Sequence, residues 1–356
     1  MKILKIDYLN IYMNKEEIIK NFNQNENGLT YHGIFGLPFG VEESKMILVP
    51  IPWEATVSYH GGTAEGPKAI LDASQQIDLY DQFNPNGWRE GIAMEDIPTS
   101  IFFNSQHTKE KVNKYINKYV EGEIDKDLQN EINNDCKDFN NYVKEKTLDL
   151  INKGKIVGVV GGDHSVALGY LEALTEKYSD FGVLHIDAHA DLRESYQGLE
   201  YSHASIFNNM LKIKNISKLV QIGIRDICEQ EYELIKKEKN RISIFTDYDI
   251  KKFVFEGGIL KKKYREIIKY LPKNVYISFD IDGLTPSLCP STGTPVPGGF
   301  SMEEIVFLFE ELVSSGRKII GFDLCEVAAN KENQWDGNVG ARVLYKLCLA
   351  ALKSQK

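Results

Sequence analysis

Cysteine is scarce in this sequence and never clustered. The five residues, Cys136, Cys228, Cys289, Cys325 and Cys348, are odd in number and far apart, with no C-x-x-C pair. That pattern argues against a disulfide framework and a thiolate zinc site, and a reducing cytoplasm is the expected location. No uninterrupted apolar run reaches the length of about 18 residues that a membrane-spanning helix needs. The opening stretch MKILKIDYLNIYMNKEEIIKNFNQN lacks the apolar core and small-residue cleavage site of a signal peptide. Positive charge is also in deficit, with 42 Lys and Arg against 51 Asp and Glu, a net charge of -9. Nucleic acid is therefore not an expected partner, because phosphate binding relies on clustered basic residues. An acidic balance is compatible with a small cationic ligand.

What the sequence has is a rhythm. Short apolar, β-branched runs occur at 46–51, 155–160, 181–186, 218–224, 241–245, 274–279 and 318–323. Helical patterns lie between them, at 165–177, 229–239, 259–270, 301–315 and 338–353 among others. Strands alternating with helices predict an α/β fold with a mostly parallel sheet covered on both faces. Two regions depart from the rhythm. Residues 1–45 are rich in Asn and Lys and read as an N-terminal extension, with the catalytic domain over 46–356. Residues 101–150 are highly charged and read as helical and solvent-facing.

In open parallel sheets, chemistry gathers at the carboxyl ends of the strands. The run FGVLHI ends at Asp187, His189 and Asp191, and NVYISF ends at Asp280 and Asp282. KIVGVV is followed by GGDHS with His164, and KIIGFD leads to Glu326. Alternate residues of an extended chain project to one side, so Asp187, His189 and Asp191 can converge, as can Asp280 and Asp282. Four carboxylates and two imidazoles gathered without a cation would cost several kcal/mol per buried ion. One metal cannot use all six, whereas two metals bridged by shared carboxylates can. An oxygen-rich set with imidazole and no thiolate suits Mn²⁺, with Fe²⁺, Co²⁺ and Ni²⁺ as alternatives.

Each residue also has a plainer reading. A lone D-x-H-x-D fits a solvated turn as well as a ligand set, and it is the coincidence of three strand ends that favours metal. His185 lies inside its strand and reads as a packed core histidine. His60 reads as an ordinary residue of a glycine-rich loop, and Cys289 as part of a rigid Pro/Gly loop. His203, in YSHAS, and Glu326 are unremarkable when taken singly.

The motifs GGDHS, HIDAHADLR, SFDIDGLTPS with GTPVPGG, and GFDLCEV resemble, in this order, those of the ureohydrolases: arginases, agmatinases and related guanidino hydrolases. The resemblance spans roughly residues 46–353 and implies an arginase-like three-layer α/β sandwich. It implies one Mn²⁺ held by His164, Asp187, Asp191 and Asp280, and a second held by His189, Asp187, Asp280 and Asp282. His203 matches the family's proton-shuttle histidine, and Glu326 the carboxylate that holds the guanidinium. Asp191 would orient the attacking hydroxide. A homo-oligomer, trimeric or hexameric, is the usual family state.

The segments HADLRESYQGLEYSHAS and PWEATVSYHGGTAEGPKAI resemble the agmatinase branch most. Where arginases carry an acid two positions after the RD pair, this chain has Cys228. The expected substrate is thus agmatine, cleaved to putrescine and urea. Guanidine, guanidinobutyrate and formiminoglutamate are the alternatives within the family, ahead of arginine. A single-zinc deacetylase would not need His164, Asp191 and Asp282 as extra ligands. A silent metal-binding protein would not need His203 and Glu326.

Overall fold

In the computed structural model, described here for residues 14–25, 33–57, 61–330 and 332–356, the apolar runs become one sheet. Its eight strands are β1 (Met46–Ile51), β2 (Ile92–Met94), β3 (Ile156–Gly161), β4 (Phe181–Ile186), β5 (Ile216–Ile222), β6 (Ile242–Phe245), β7 (Asn274–Asp280) and β8 (Lys318–Cys325). They lie in the order β2-β1-β3-β8-β7-β4-β5-β6, and every pairing is parallel. Seven of them correspond to the expected runs. The eighth, β2, is a three-residue edge strand too short to show a period of its own.

Both faces are covered, so the strands are apolar on both sides and alternate residues enter different cores. Met46 and Leu48 of β1 join one apolar cluster, while Ile47, Val49 and Ile51 join the other. The first cluster is closed by helices α2 (Gly66–Ser74), α8 (Asp247–Phe255), α9 (Leu260–Ile268), α10 (Met302–Ser314) and α11 (Trp335–Lys353). The second is closed by α3 (Thr99–Val120), α4 (Lys126–Asn152), α5 (Ala167–Leu174), α6 (Ile206–Met210) and α7 (Glu229–Lys237). The result is the expected three-layer sandwich.

The charged 101–150 region differs from its expectation of facing solvent. It forms α3 and α4, and α4 buries Ile132, Cys136, Phe139, Val143, Leu150 and Ile151. These recur at helical spacing and are masked in the sequence by the charges between them. Within the first 45 residues, helix α1 (Lys15–Asn21) is held by a capping box from Asn14 and Glu17. Phe22 lies 5.2 Å from the ring of Trp88, and Ile34, Phe35, Leu37 and Phe39 are buried in the first cluster. His32 and His60 lie outside the described residues. Among the described residues, no helix is long and apolar enough to cross a membrane.

Candidate metal and substrate site

The strand order decides where the polar strand ends meet. After β3 the chain next enters the sheet at β4, leaving a gap that β8 and β7 later fill. The residues following β3, β8, β7 and β4 thereby converge at four adjacent strand ends, the usual place for a site in such sheets.

His164 reaches the centre through a tight approach of backbones: a Cβ on Gly162 would lie 1.7 Å from the Trp53 carbonyl oxygen. Its Nδ1 lies 3.0 Å from Asp191 Oδ2, 3.2 Å from Asp187 Oδ2 and 3.5 Å from Asp280 Oδ2. Beside it, His189 Nδ1 lies 3.0 Å from Asp282 Oδ2 and 3.5 Å from Asp187 Oδ1. The two carboxyl oxygens of Asp187 therefore face different histidines. Backbone amides orient the same set: His189 N–H donates to Asp187 Oδ1 at 2.6 Å, Ala188 N–H to Asp282 Oδ1 at 3.0 Å, and Asp282 N–H to Asp280 Oδ1 at 2.8 Å.

Both Asp191 and Glu326 sit at positive φ, 51° and 63°, a conformation that side chains other than Gly adopt at a cost. The sharp turn at Asp191 brings its carboxyl back over His164. The turn at Glu326 aims its Oε1 at the His164 amide, from which it accepts a hydrogen bond of 3.0 Å. His203 is half-buried, its Nδ1 3.3 Å from Thr56 Oγ1, and its own amide donates to that oxygen at 3.1 Å.

A cavity of about 190 Å³ unites these groups, lined by His189, Asp191, His203, Asp280, Asp282 and Glu326 together with Tyr196, Arg193, Glu231, Thr292 and Thr294. All eight expected site residues are thus in one place, six in the cavity wall and His164 and Asp187 just beneath it. Tyr196, whose ring centroid lies 6.0 Å from that of His203, was not anticipated, and neither was the pair of threonines. Their loops carry no periodic signal. Cys228 stands at the N-cap of α7, and it is Glu231, three residues on, that reaches the cavity wall while accepting the amides of Leu192 and Cys228 at 2.9 and 3.0 Å. Arg225, after β5, is structural: its guanidinium donates to the carbonyls of Gly223, Asp282, Leu284 and Val296 and pins the loop after β7.

The electrostatics show a shortage of positive charge. Burial, then the neighbouring Asp282 and Asp187 charges, pushes the Asp280 carboxyl well up, and burial with Asp187 raises Asp191 to about 7. Burial and Asp163 raise Glu326. Burial opposes charge on the histidines too, yet the carboxylates outweigh it, holding His164 well up and raising His189 to about 12. Such a set fits divalent cations. An ion bound octahedrally at roughly 2.1 Å holds adjacent donor atoms about 3 Å apart, the spacing seen around His164 Nδ1 and His189 Nδ1. Two compact donor groups, one with His164, His185, Asp187 and Asp191 and one with Asp187, His189 and Asp282, share Asp187.

Comparison with known proteins agrees with this geometry. The profile of the arginase family matches residues 44–350. This chain belongs to the arginase family. An N(1)-aminopropylagmatine ureohydrolase of Thermus thermophilus is 32% identical over 313 residues, covering 88% of this chain and 92% of its own. An agmatinase of Bacillus anthracis is 26% identical, covering 81% of this chain and 84% of its own. In fold, the agmatine ureohydrolase of Thermoplasma volcanium superposes with a TM-score of 0.70 at 24% identity, covering 95% of this chain and 98% of that one. As a member of this family the chain is a hydrolase of C–N bonds in linear amidines.

Proposed function

We propose that this arginase-family hydrolase cleaves agmatine to urea and putrescine, using two divalent metals, Mn²⁺ by preference, held by His164, Asp187, Asp191, Asp280, His189 and Asp282. The observation carrying this reading is the shared cavity, which sets Glu326 and His203 beside an over-supplied carboxylate and imidazole cluster. When bound, the metals supply the acidity that yields hydroxide from water near neutral pH.

The protein's own groups do the rest. The Glu326 carboxylate takes the planar guanidinium by paired, charge-assisted hydrogen bonds, holding its carbon over the metal side of the cavity. Asp191 holds the attacking water by accepting a hydrogen bond from it. Attack gives a tetrahedral carbon, and the C–N bond to the alkyl amine then breaks, which requires a proton on that nitrogen. Burial pushes His203 down to about 4, so its imidazole is neutral and free to pass that proton rather than hold it. Asp191 is the alternative donor.

A second reading, N(1)-aminopropylagmatine as substrate, is favoured by the name of the Thermus thermophilus relative. It keeps the same reacting end and lengthens the amine end. The experiment is urea release from agmatine, N(1)-aminopropylagmatine, arginine, guanidinobutyrate and guanidine, with formamide release from formiminoglutamate, on metal-loaded protein. Agmatine should lead, with arginine at least ~100-fold poorer in kcat/KM, because its carboxylate would be desolvated without a dedicated partner. Faster urea release from guanidine or guanidinobutyrate would overturn the substrate and leave the family chemistry standing.

A further inference from the structure

One register below the ligands, four polar residues cross four adjacent strands. Gln221 of β5 pairs with His185 of β4, His185 with Ser278 of β7, and Ser278 with Asp323 of β8. All four are fully buried, on the face whose neighbours Leu219, Val183, Tyr276 and Cys325 belong to the second apolar cluster. A polar row inside an apolar sheet costs free energy unless each member is hydrogen-bonded. They are bonded in two pairs, Gln221 to His185 and Ser278 to Asp323, and each pair is bonded upward to one proposed ligand, Asp187 or His164.

The protons of the row follow from its fixed end. The carbonyl of Ala190 can only accept, so the amide face 2.7 Å from it is the NH₂ of Gln221. The same NH₂ lies 2.9 Å from His185 Nδ1, which must then be the acceptor. The single proton of a neutral His185 is left on Nε2, and it points to Asp187 Oδ2 at 2.8 Å. Neither ring nitrogen keeps a free lone pair for metal, although His185 lies within the donor group of His164, Asp187 and Asp191. On the other half of the row, Ser278 Oγ–H donates to Asp323 Oδ2 at 2.8 Å. Its oxygen then accepts from His164 Nε2–H at 2.9 Å, which leaves His164 Nδ1 facing Asp187, Asp191 and Asp280. Among the described residues the buried Gln221 carbonyl oxygen has no hydrogen-bond partner, a cost that packing alone does not require.

We infer that this row of Gln221, His185, Ser278 and Asp323 is a positioning layer that selects the free nitrogen of His164 and holds Asp187 as an oriented, proton-accepting carboxylate. His185 is then a positioning residue rather than a ligand. The inference rests on the two-metal reading above. It adds what that reading lacks, a reason for polar residues in the interior of β4, β5 and β7.

The test is Mn²⁺ titration of metal-free protein, unaltered and carrying Gln221→Leu, Ser278→Ala, His185→Phe, or Gln221→Leu with His185→Phe, with the fold of each checked by circular dichroism. Gln221→Leu and Ser278→Ala should each weaken Mn²⁺ binding by about 10–100-fold, as lost outer partners of metal ligands do. Ser278→Thr, which keeps the hydroxyl, should restore most of the loss. Gln221→Leu should add nothing once His185 is Phe, because the amide acts only through that ring. Additive losses, or unchanged affinity in Gln221→Leu, would overturn the inference, and so would loss of one whole ion in His185→Phe while Gln221→Leu binds normally. In the unaltered protein, ¹⁵N shifts should show His185 protonated on Nε2, and protonation on Nδ1 would overturn it without any variant. Unaltered protein that binds no divalent metal would sink the metal reading itself, a separate failure.

Discussion

The tasks proposed for Glu326 and Asp187 differ at the residue scale, and substitution separates them. Glu326→Gln keeps the shape of the side chain and its hydrogen bond to the His164 amide, but removes the charge proposed to face the guanidinium. We expect both metals to remain and kcat/KM to fall by about 2–4 kcal/mol, as for a strong contact made in the transition state. Near-normal turnover would remove Glu326 from the site. His203→Ala should act more mildly, lowering kcat by roughly 10–1000-fold, as expected for a lost proton relay. Asp187→Ala is different in kind, since its two oxygens face His164 and His189. Elemental analysis should find both ions gone, whereas His164→Ala should chiefly weaken one. Retention of one tightly held ion in Asp187→Ala would refute the bridging role.

Helix α4 is the element whose surface conceals its role. Its Phe139 stacks on Trp53 with ring centroids 4.0 Å apart and planes 5° from parallel. The Trp53 carbonyl accepts the amide of Asp163, the residue before His164. The helix also grips the loop that carries cavity-wall residues, because Gln129 donates to the Gly198 carbonyl and Asn133 accepts the Glu200 amide. The 193–203 loop with Tyr196 and His203 is therefore fastened to α4. Phe139→Ala should destabilise the protein by about 3–5 kcal/mol, the usual cost of emptying a buried aromatic site. Denaturant unfolding measures this, and a loss near zero would mean that α4 is the detachable, solvent-facing hairpin its charge suggests.

The whole molecule has a pH dependence that does not pass through the active site. Glu311 of α10 is nearly buried and bonds Arg265 Nε at 2.6 Å and Lys261 Nζ at 3.1 Å, both on α9. Burial alone would raise its carboxyl, but the two cations outweigh it and hold it below the usual range. A carboxyl lowered on folding adds stability above its unfolded pKa of about 4.3. That contribution is lost as the pH falls from there through the lower folded value. Glu311→Gln should thus narrow the difference in Tm between pH 7 and pH 3, and an unchanged difference would rule out this pair as a contributor.

Residue types and strand identities were legible in the linear chain because both are local. A buried parallel strand is a short apolar run, and a polar set at its end follows a period of two, so Asp187, His189, Asp191, Asp280 and Asp282 stand out as candidate ligands. The interior members of β4, β5 and β7 carried a fainter signal. His185, Gln221 and Ser278 are polar residues inside apolar runs, but nothing local says that they share a row. That depends on which strands lie side by side, and parallel neighbours are joined by long crossovers whose order leaves no short-range pattern. Only the tertiary structure, by inserting β8 and β7 between β3 and β4, brings His164 against Asp191, turns Glu326 toward it, and aligns four isolated polar residues beneath the proposed ligands.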